Sequence, residues 1–173
     1  MNYYALQVKT RKEEKFMKLL KALHPEIPFP FFFPQRSLDI RRKGVIHNSR
    51  SAIFPGYVFI EVENDEELRK HQWDFRRTDG FYRFLPSNQN ICPLADKELE
   101  LVLHFIKRVG PLAGKSLVTF DINSRIVVIE GPLAGLEGKI VKVDKRKGRA
   151  KVKLDIYEDS FSIDLAFETL YRK

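Results

Sequence analysis

The chain has 173 residues, of which 43% are hydrophobic and 12% aromatic, so it can form one large or two small domains with a buried core. Its net charge of +8 and its pI of about 9.6 favour a polyanionic partner such as nucleic acid. No apolar run approaches the ~18 residues of a membrane span, no signal peptide precedes "NYYALQV", and one cysteine permits no internal disulfide, so we expect a cytoplasmic protein without membrane contacts.

The first elements in chain order are a strand and an amphipathic helix. Residues 3–9 have the composition of a strand, and the helix that follows ends at Pro25. Thr10 and Glu13 have the spacing of a capping box at the helix start. The helix has apolar residues at positions i, i+3, i+4 and i+7, namely Phe16, Leu19, Leu20 and Leu23. Prolines at positions 28, 30 and 34 predict an extended backbone for residues 29–34.

The middle of the chain predicts strands and two more helices. Residues 36–50 predict a basic hairpin that turns near Lys43 and Gly44. A β-branched and aromatic strand follows at 52–63, with a bend at Pro55-Gly56. The remaining elements are a helix at 65–74, a short strand at 80–86 and an amphipathic helix at 95–109.

From residue 117 onward the pattern changes to short strands alone. They include strands at 125–130, 138–144, 149–156 and 160–165, and five short strands in about 57 residues suit a small barrel of SH3-like size. We therefore predict an α+β chain with an α/β sandwich domain at 1–108, in which helices flank an antiparallel sheet. A linker at 109–116 and a β-barrel domain at 117–173 complete it.

The sequence contains no pattern typical of an enzyme. "GPLAGKS" is one residue shorter than a phosphate-binding loop and follows a helix rather than a strand. The four histidines are scattered, and the single cysteine has no partner for a metal site. We therefore expect no catalysis, no cofactor and no bound metal.

Positive charge is concentrated near the C-terminal end. Residues 139–153 contain eight lysines and arginines and one acid, whereas 154–168 contain five acids and no lysine or arginine. Such a run is compatible with a solvated hairpin whose charges protect an edge strand, or with a surface that neutralises RNA phosphates. We expect RNA contact by the basic residues Lys139, Lys142, Lys145, Arg146, Lys147, Arg149, Lys151 and Lys153.

Aromatic residues are more numerous around the middle strand than one sheet face requires. Alternation places Tyr57 and Phe59 on the same face. The Pro55-Gly56 bend is expected to present the ring of Phe54 at the edge of the sheet. An exposed aromatic depression of this kind is typical of a protein-binding hot spot, although each ring taken alone also suits a core.

The stretch "EGPLAGLEGKIVKVDKRKGRAKVKLDI" resembles the KOW motif, in which a glycine-containing turn joins strands of a small barrel. The turn residues are Gly131, Pro132, Gly135 and Gly138. Together with "YYALQVKTRKEEK" and "FPGYVFIEV", it makes residues 2–173 similar to the NusG family, with an NGN domain followed by a KOW domain. "FPQRSLDIRRKG", "IFPGYVF" and "GFYRFLPSNQNICPL" resemble the operon-directed paralogues of the LoaP antiterminator type.

The resemblance implies a partner and a mechanism. NGN domains of this type contact the clamp helices of the largest RNA polymerase subunit and bridge the DNA cleft, which suppresses pausing and termination. The matching polymerase-binding positions are Tyr4, Phe33, Phe54, Pro55, Gly56 and Tyr57. The resemblance further implies recruitment to one operon through a hairpin in the nascent leader RNA. We expect the protein to be a monomer.

A second set of basic residues, in the first domain, is expected to contact nucleic acid, either non-template DNA or RNA. Its members are Lys9, Arg11, Arg36, Arg41, Arg42, Lys43, Arg76 and Arg77. The resemblance implies this for Lys9, Arg11, Arg76 and Arg77, and the positive charge of the hairpin suggests it for the other four. "IYEDSFSIDL" departs from the general factor's pattern, so contacts to a ribosomal or termination-factor partner are not transferred. A general NusG elongation factor that couples transcription to translation or termination is the alternative, and a ribosome-associated RNA-binding protein is a more distant one.

Overall fold

The computed structural model describes residues 1–171, which form two compact units. The first comprises residues 1–33 and 54–101, and the second comprises residues 34–53 and 102–171. These units differ from the predicted division at 109–116, because residues 34–53 are grouped with the C-terminal strands. No helix within residues 1–171 is both long and apolar enough to span a membrane.

Up to residue 103 the chain contains three helices among six strands, and the elements described after it are strands apart from two short helical turns. In chain order they are β1 (Asn2–Val8), α1 (Glu13–Leu23), β2 (Phe31–Phe32), β3 (Gln35–Arg42), β4 (Val45–Ala52), β5 (Tyr57–Val62), α2 (Asp65–Arg77), β6 (Phe81–Phe84), α3 (Asp96–Leu103), β7 (Leu112–Ala113), β8 (Ser116–Phe120), β9 (Ile126–Glu130), β10 (Ile140–Asp144), β11 (Arg149–Ile156) and β12 (Asp159–Thr169). A π-helical turn, His104–Val109, continues α3, and a 3-10 turn, Glu137–Lys139, precedes β10.

The first unit is built on a four-stranded antiparallel sheet with the strand order β2-β5-β1-β6. Side chains alternate between its faces, and one face joins the apolar sides of α1 and α2 in a buried cluster. The members of this cluster include Tyr4, Leu6 and Val8 of β1, Val58, Ile60 and Val62 of β5, Phe16 and Leu20 of α1, and Leu68 and Phe75 of α2. The predicted sandwich of a sheet with packed helices is confirmed.

The predicted capping box at the start of α1 is wrong. Arg11 takes a left-handed conformation with φ of 67°, and the residue that caps the helix is Lys12, which makes no side-chain capping bond. The Glu13 carboxylate instead accepts a hydrogen bond from the backbone N–H of Gly56, at 2.8 Å. Glu13 is buried, and its bond to Gly56 connects the first turn of α1 to the bend before β5.

The second unit contains a three-stranded and a five-stranded sheet. The predicted hairpin is formed by β3 and β4, which turn at Lys43 and Gly44, and β3 also pairs in parallel with β7. The segment predicted as a linker therefore contains a strand. The five-stranded sheet has the order β10-β11-β12-β8-β9, which confirms the predicted small C-terminal β-domain.

A close backbone approach fixes the glycine-containing turn after β9. Gly131 has a φ of +104°, and a Cβ atom added there would lie 2.6 Å from the Cα of Ser116. The Ser116 hydroxyl accepts a hydrogen bond from the N–H of Leu133 at 2.9 Å. Among the other predicted turn residues, Pro132 is buried, while Gly135 and Gly138 are exposed.

Candidate functional site

The predicted bend between β4 and β5 is present, and backbone hydrogen bonds fix its shape. The N–H of Tyr57 donates to the carbonyl of Phe54 at 3.1 Å, and the N–H of Val8 donates to the carbonyl of Gly56 at 2.8 Å. Gly56 has a φ of +83°, which favours glycine. Because Glu13 also accepts from its N–H, the bend is held from both β1 and α1.

The rings at this bend are buried, so the prediction that Phe54 is exposed at the edge of the sheet is wrong. Phe54 is 1% exposed and Tyr57 is 3% exposed. The Phe54 ring packs edge-on against Phe59, with 5.2 Å between ring centroids. Pro55 is the exposed residue of the bend, and the buried rings beside it determine its position.

The predicted aromatic set is divided between the two faces of the sheet. Tyr4 pairs with Ile60 and belongs to the core cluster, whereas Tyr57 pairs with Gln7 on the opposite face. Burial, and then a hydrogen bond to Asp65, raise the pKa of the Tyr4 phenol well above its usual range. Tyr4 therefore acts as a core residue, and it shares no depression with Tyr57. Phe33, directly after β2, is half-buried.

Two polar residues next to the bend were absent from the sequence prediction. Gln7 is on β1, where it lies opposite Tyr57 of β5 on one side and opposite Arg83 of β6 on the other. The Arg83 Nε donates to the Gln7 Oε1 at 2.8 Å. Alternation along β1 could have indicated that Gln7 lies on the same face of the sheet as Tyr57, because residues 3, 5 and 7 of this strand share that face. We call Gln7, Pro55 and Arg83, which are at least partly exposed, the bend surface.

The basic residues of the second unit lie on and around the hairpin of β10 and β11. Lys142 pairs with Lys151, and Asp144 pairs with Arg149. The N–H of Lys147 donates to the Asp144 carboxylate at 2.9 Å, and this bond lowers the pKa of Asp144. Of the eight predicted residues, Arg149 and Lys151 are half-buried, and the exposed ones are Lys139, Lys142, Lys145, Arg146, Lys147 and Lys153.

An aromatic ring and a shallow depression accompany these charges. The Lys145 Nζ lies 4.2 Å from the centroid of the Phe120 ring, in cation–π geometry. The depression has a volume of about 120 Å³. Its lining combines basic and acidic groups, namely Lys142, Asp144, Lys147, Arg149, Lys151 and Asp164.

The β3–β4 hairpin contacts the five-stranded sheet within the second unit. The Arg149 Nη2 donates to the carbonyl of Asp39 at 2.8 Å. The Arg36 Nη1 donates to the carbonyl of Asp164 at 2.6 Å, and burial lowers the pKa of the Arg36 guanidinium. Arg36 is thus an internal contact of this unit. The exposed arginines and lysines of the hairpin are Arg41, Arg42, Lys43 and Arg50.

The basic residues predicted in the first unit fall into two groups. Lys9, Arg11 and Arg77 are exposed. Arg76 is engaged by its neighbours, because its Nη2 donates to the carbonyl of Asn88 at 2.6 Å and its guanidinium lies 4.7 Å from the centre of the Trp73 ring. Trp73 is 54% exposed and was not among the sequence-predicted residues.

Comparison with known proteins gives a consistent set of relatives. The family model described as transcription termination factor NusG matches residues 1–103, and the model for the KOW motif matches residues 122–154. The transcription termination/antitermination protein NusG of Thermus thermophilus is 27% identical over 182 aligned positions, which cover 99% of this chain and 98% of that protein. The protein of the same name from Bacillus subtilis is 27% identical over 118 positions, covering 68% of this chain and 65% of the relative.

A solved structure has a similar fold. The structure described as domain interaction in Thermotoga maritima NusG aligns with a TM-score of 0.57 at 20% sequence identity. The alignment covers 95% of this chain and 93% of that one.

Proposed function

The chain belongs to the NusG family of transcription termination/antitermination factors, and from this premise we propose that it binds transcribing RNA polymerase and suppresses pausing and termination. Proteins of this family are transcription factors and not enzymes. The observation that carries the proposal is the fixed Phe-Pro-Gly-Tyr bend, which the buried Glu13 holds to α1 and the N–H of Val8 holds to β1.

The proposed polymerase contact is the bend surface. Pro55 is exposed on a backbone that hydrogen bonds hold in place. The Gln7–Arg83 pair supplies polar groups on β1 and β6, where Gln7 lies opposite Tyr57. The buried Phe54 ring supports the bend through its contact with Phe59. A preorganised apolar contact with a polar rim suits the exposed tip of a helical hairpin, such as the polymerase clamp helices.

In the proposed mechanism, the protein acts on RNA polymerase only through the free energy of binding, without a catalytic step. A protein that is bound to the clamp and also reaches the opposite side of the DNA cleft binds the closed state better than the open state. It therefore shifts the clamp equilibrium toward closure by its difference in affinity for the two states. A closed clamp disfavours the rearrangements that lead to pausing and hairpin-dependent termination.

Replacing Pro55 with aspartate is expected to weaken polymerase binding at least tenfold, because a charge would be buried in an apolar contact. The measurement is fluorescence anisotropy of labelled protein titrated with core RNA polymerase. Pro28→Asp is the matched control, since Pro28 is also an exposed proline of the first unit. Equal affinities of the two variants would contradict the assignment of the bend surface, provided that both melt at the wild-type temperature.

We propose that the turn between β10 and β11 binds a hairpin in the leader RNA and thereby recruits the protein to its operon. The exposed basic residues of this turn are Lys145, Arg146 and Lys147. Cations in a turn can follow the phosphates of an irregular RNA stem, and unpaired bases can stack on nearby aromatic rings. Support comes from the cation–π pair of Lys145 with Phe120. The contact of Arg149 with Asp39 adds support, because it brings the β3–β4 hairpin, with its exposed Arg41, to the same sheet.

The alternative function is that of a general elongation factor, which acts on all transcripts and couples transcription to translation or termination. Transcription of two templates separates the alternatives. An operon-directed factor increases read-through only when the template encodes the leader hairpin, whereas a general factor has the same effect on both templates.

A further inference from the structure

Four ionisable side chains come together where the end of α1 lies beside the second half of α2. His24 follows α1, Glu26 lies two residues later, and α2 contributes His71 and Asp74. Each of them is at least partly accessible to solvent. Their separation along the chain gives no metal-binding motif, so only the packing of the two helices reveals the cluster.

Two distances within this cluster are close to those of a compact metal site. The His24 Nδ1 lies 3.4 Å from the Glu26 Oε1 and 3.7 Å from the Asp74 Oδ1. One ligand atom from each of the three residues lies within 4.8 Å of the other two. Zinc–ligand bonds of ~2.0–2.2 Å in a tetrahedron place neighbouring ligand atoms about 3.3–3.6 Å apart. The two histidine–carboxylate separations are therefore close to those that a bound zinc ion requires.

The backbone already fixes these ligands. The N–H of His24 donates to the carbonyl of Leu20 at 2.8 Å, and the N–H of Ile27 donates to the carbonyl of His24 at 3.2 Å. These bonds form a turn around His24 and Glu26. On α2, the Thr78 hydroxyl donates to the carbonyl of Asp74 at 2.7 Å. A site built on such fixed segments loses little conformational entropy when a cation binds.

His71 supplies the outer contact that metal-binding carboxylates usually have. Its Nδ1 lies 3.1 Å from the Asp74 Oδ2, the carboxylate oxygen that does not face His24. Its ring is held edge-on by the buried Phe29, with 6.1 Å between centroids. Such an outer hydrogen bond orients a ligating carboxylate and increases metal affinity.

We propose that His24, Glu26 and Asp74 form a binding site for a divalent transition-metal cation of the zinc type, with His71 as the outer partner of Asp74. The two carboxylates bring negative charge to a single imidazole nitrogen, and a divalent cation neutralises it. One nitrogen and two oxygen ligands suit zinc, whereas magnesium and calcium prefer six or more oxygen ligands. Water would complete the tetrahedron. The bound ion would join the end of α1 to α2, independently of any contact with polymerase or RNA.

The test is isothermal titration of untagged, chelator-treated protein with zinc chloride, because a histidine tag would itself bind zinc. We expect one zinc ion per chain and a rise in the melting temperature of the first unit. Asp74→Asn and His24→Ala should each weaken binding at least ~10-fold, and His71→Ala should weaken it by a smaller factor. His47→Ala is the control, because His47 is an exposed histidine on β4, and it should bind zinc like the wild type.

Cobalt provides a second readout that does not depend on stability. Cobalt(II) bound at the site should give the intense visible absorption of tetrahedral coordination, and added zinc should abolish it. Absence of zinc binding at about 1 mM metal would overturn the proposal. Unchanged affinity in both Asp74→Asn and His24→Ala would overturn it as well.

Discussion

Replacing Gly131 with alanine is expected to destabilise the second unit by about 3 kcal/mol or more. The substitution combines a strained left-handed conformation with steric overlap, and each contributes ~1–3 kcal/mol. The added Cβ would lie 2.6 Å from the Ser116 Cα and 2.9 Å from its Oγ, so the backbone of β8 would have to move. The measurement is urea unfolding followed by circular dichroism, with the free energy of unfolding compared with that of the wild type.

Gly135 provides the matched control for this substitution. It also has a positive φ, of +89°, but a Cβ added there would have no atom within 4 Å. Gly135→Ala should therefore cost only the conformational strain, roughly 1 kcal/mol. Equal losses of stability in the two variants would contradict the steric argument. It would then be conformational strain, and not the approach to Ser116, that requires glycine at residue 131.

Reversing the charges of Lys145, Arg146 and Lys147 to glutamate is expected to weaken binding of a leader RNA stem-loop about 100-fold or more at low salt. The binding constant falls as the salt concentration rises. Loss of three phosphate contacts should make the slope of log K against log salt concentration less steep by roughly 2–3. The probe is a labelled stem-loop transcribed from the leader of the operon adjacent to this protein's gene. Gel shifts or anisotropy between ~50 and 200 mM salt give both quantities.

A triple reversal on α1 controls for the change in net charge. Lys15, Lys18 and Lys21 are exposed on α1, and their replacement by glutamate changes the charge of the protein by the same amount. This variant should retain most of its RNA affinity. If both triple variants lose affinity equally, the attraction is a property of the whole protein and the proposed RNA surface is wrong.

The elements of the fold could be predicted because their signals are local. Apolar periodicity identified α1, and alternation identified the face that Tyr57 and Phe59 share. The capping box at Thr10 failed because Glu13 has a partner in tertiary structure, the N–H of Gly56, which no local pattern reveals. The position of the β3–β4 hairpin in the second unit depends on similar long-range contacts, such as Arg149 with Asp39.

The candidate site was predictable only in part. The sequence located the Pro55-Gly56 bend, since these two residue types restrict the backbone in characteristic ways. It did not give the burial of Phe54, because alternation indicates which face a side chain occupies but not what covers that face. Resemblance grouped Tyr4 with Tyr57, but the strand register places them on opposite faces. The cluster of His24 and Asp74 depends on helix packing and was likewise out of reach.

The most direct test of the proposed function is single-round transcription through a hairpin-dependent terminator by purified RNA polymerase, on a template that encodes the leader. The wild-type protein is expected to increase read-through, Pro55→Asp to have little effect at the same concentration, and Pro28→Asp to act like the wild type. Unchanged read-through with the wild-type protein, or an equal increase with Pro55→Asp, would contradict antitermination through the bend surface.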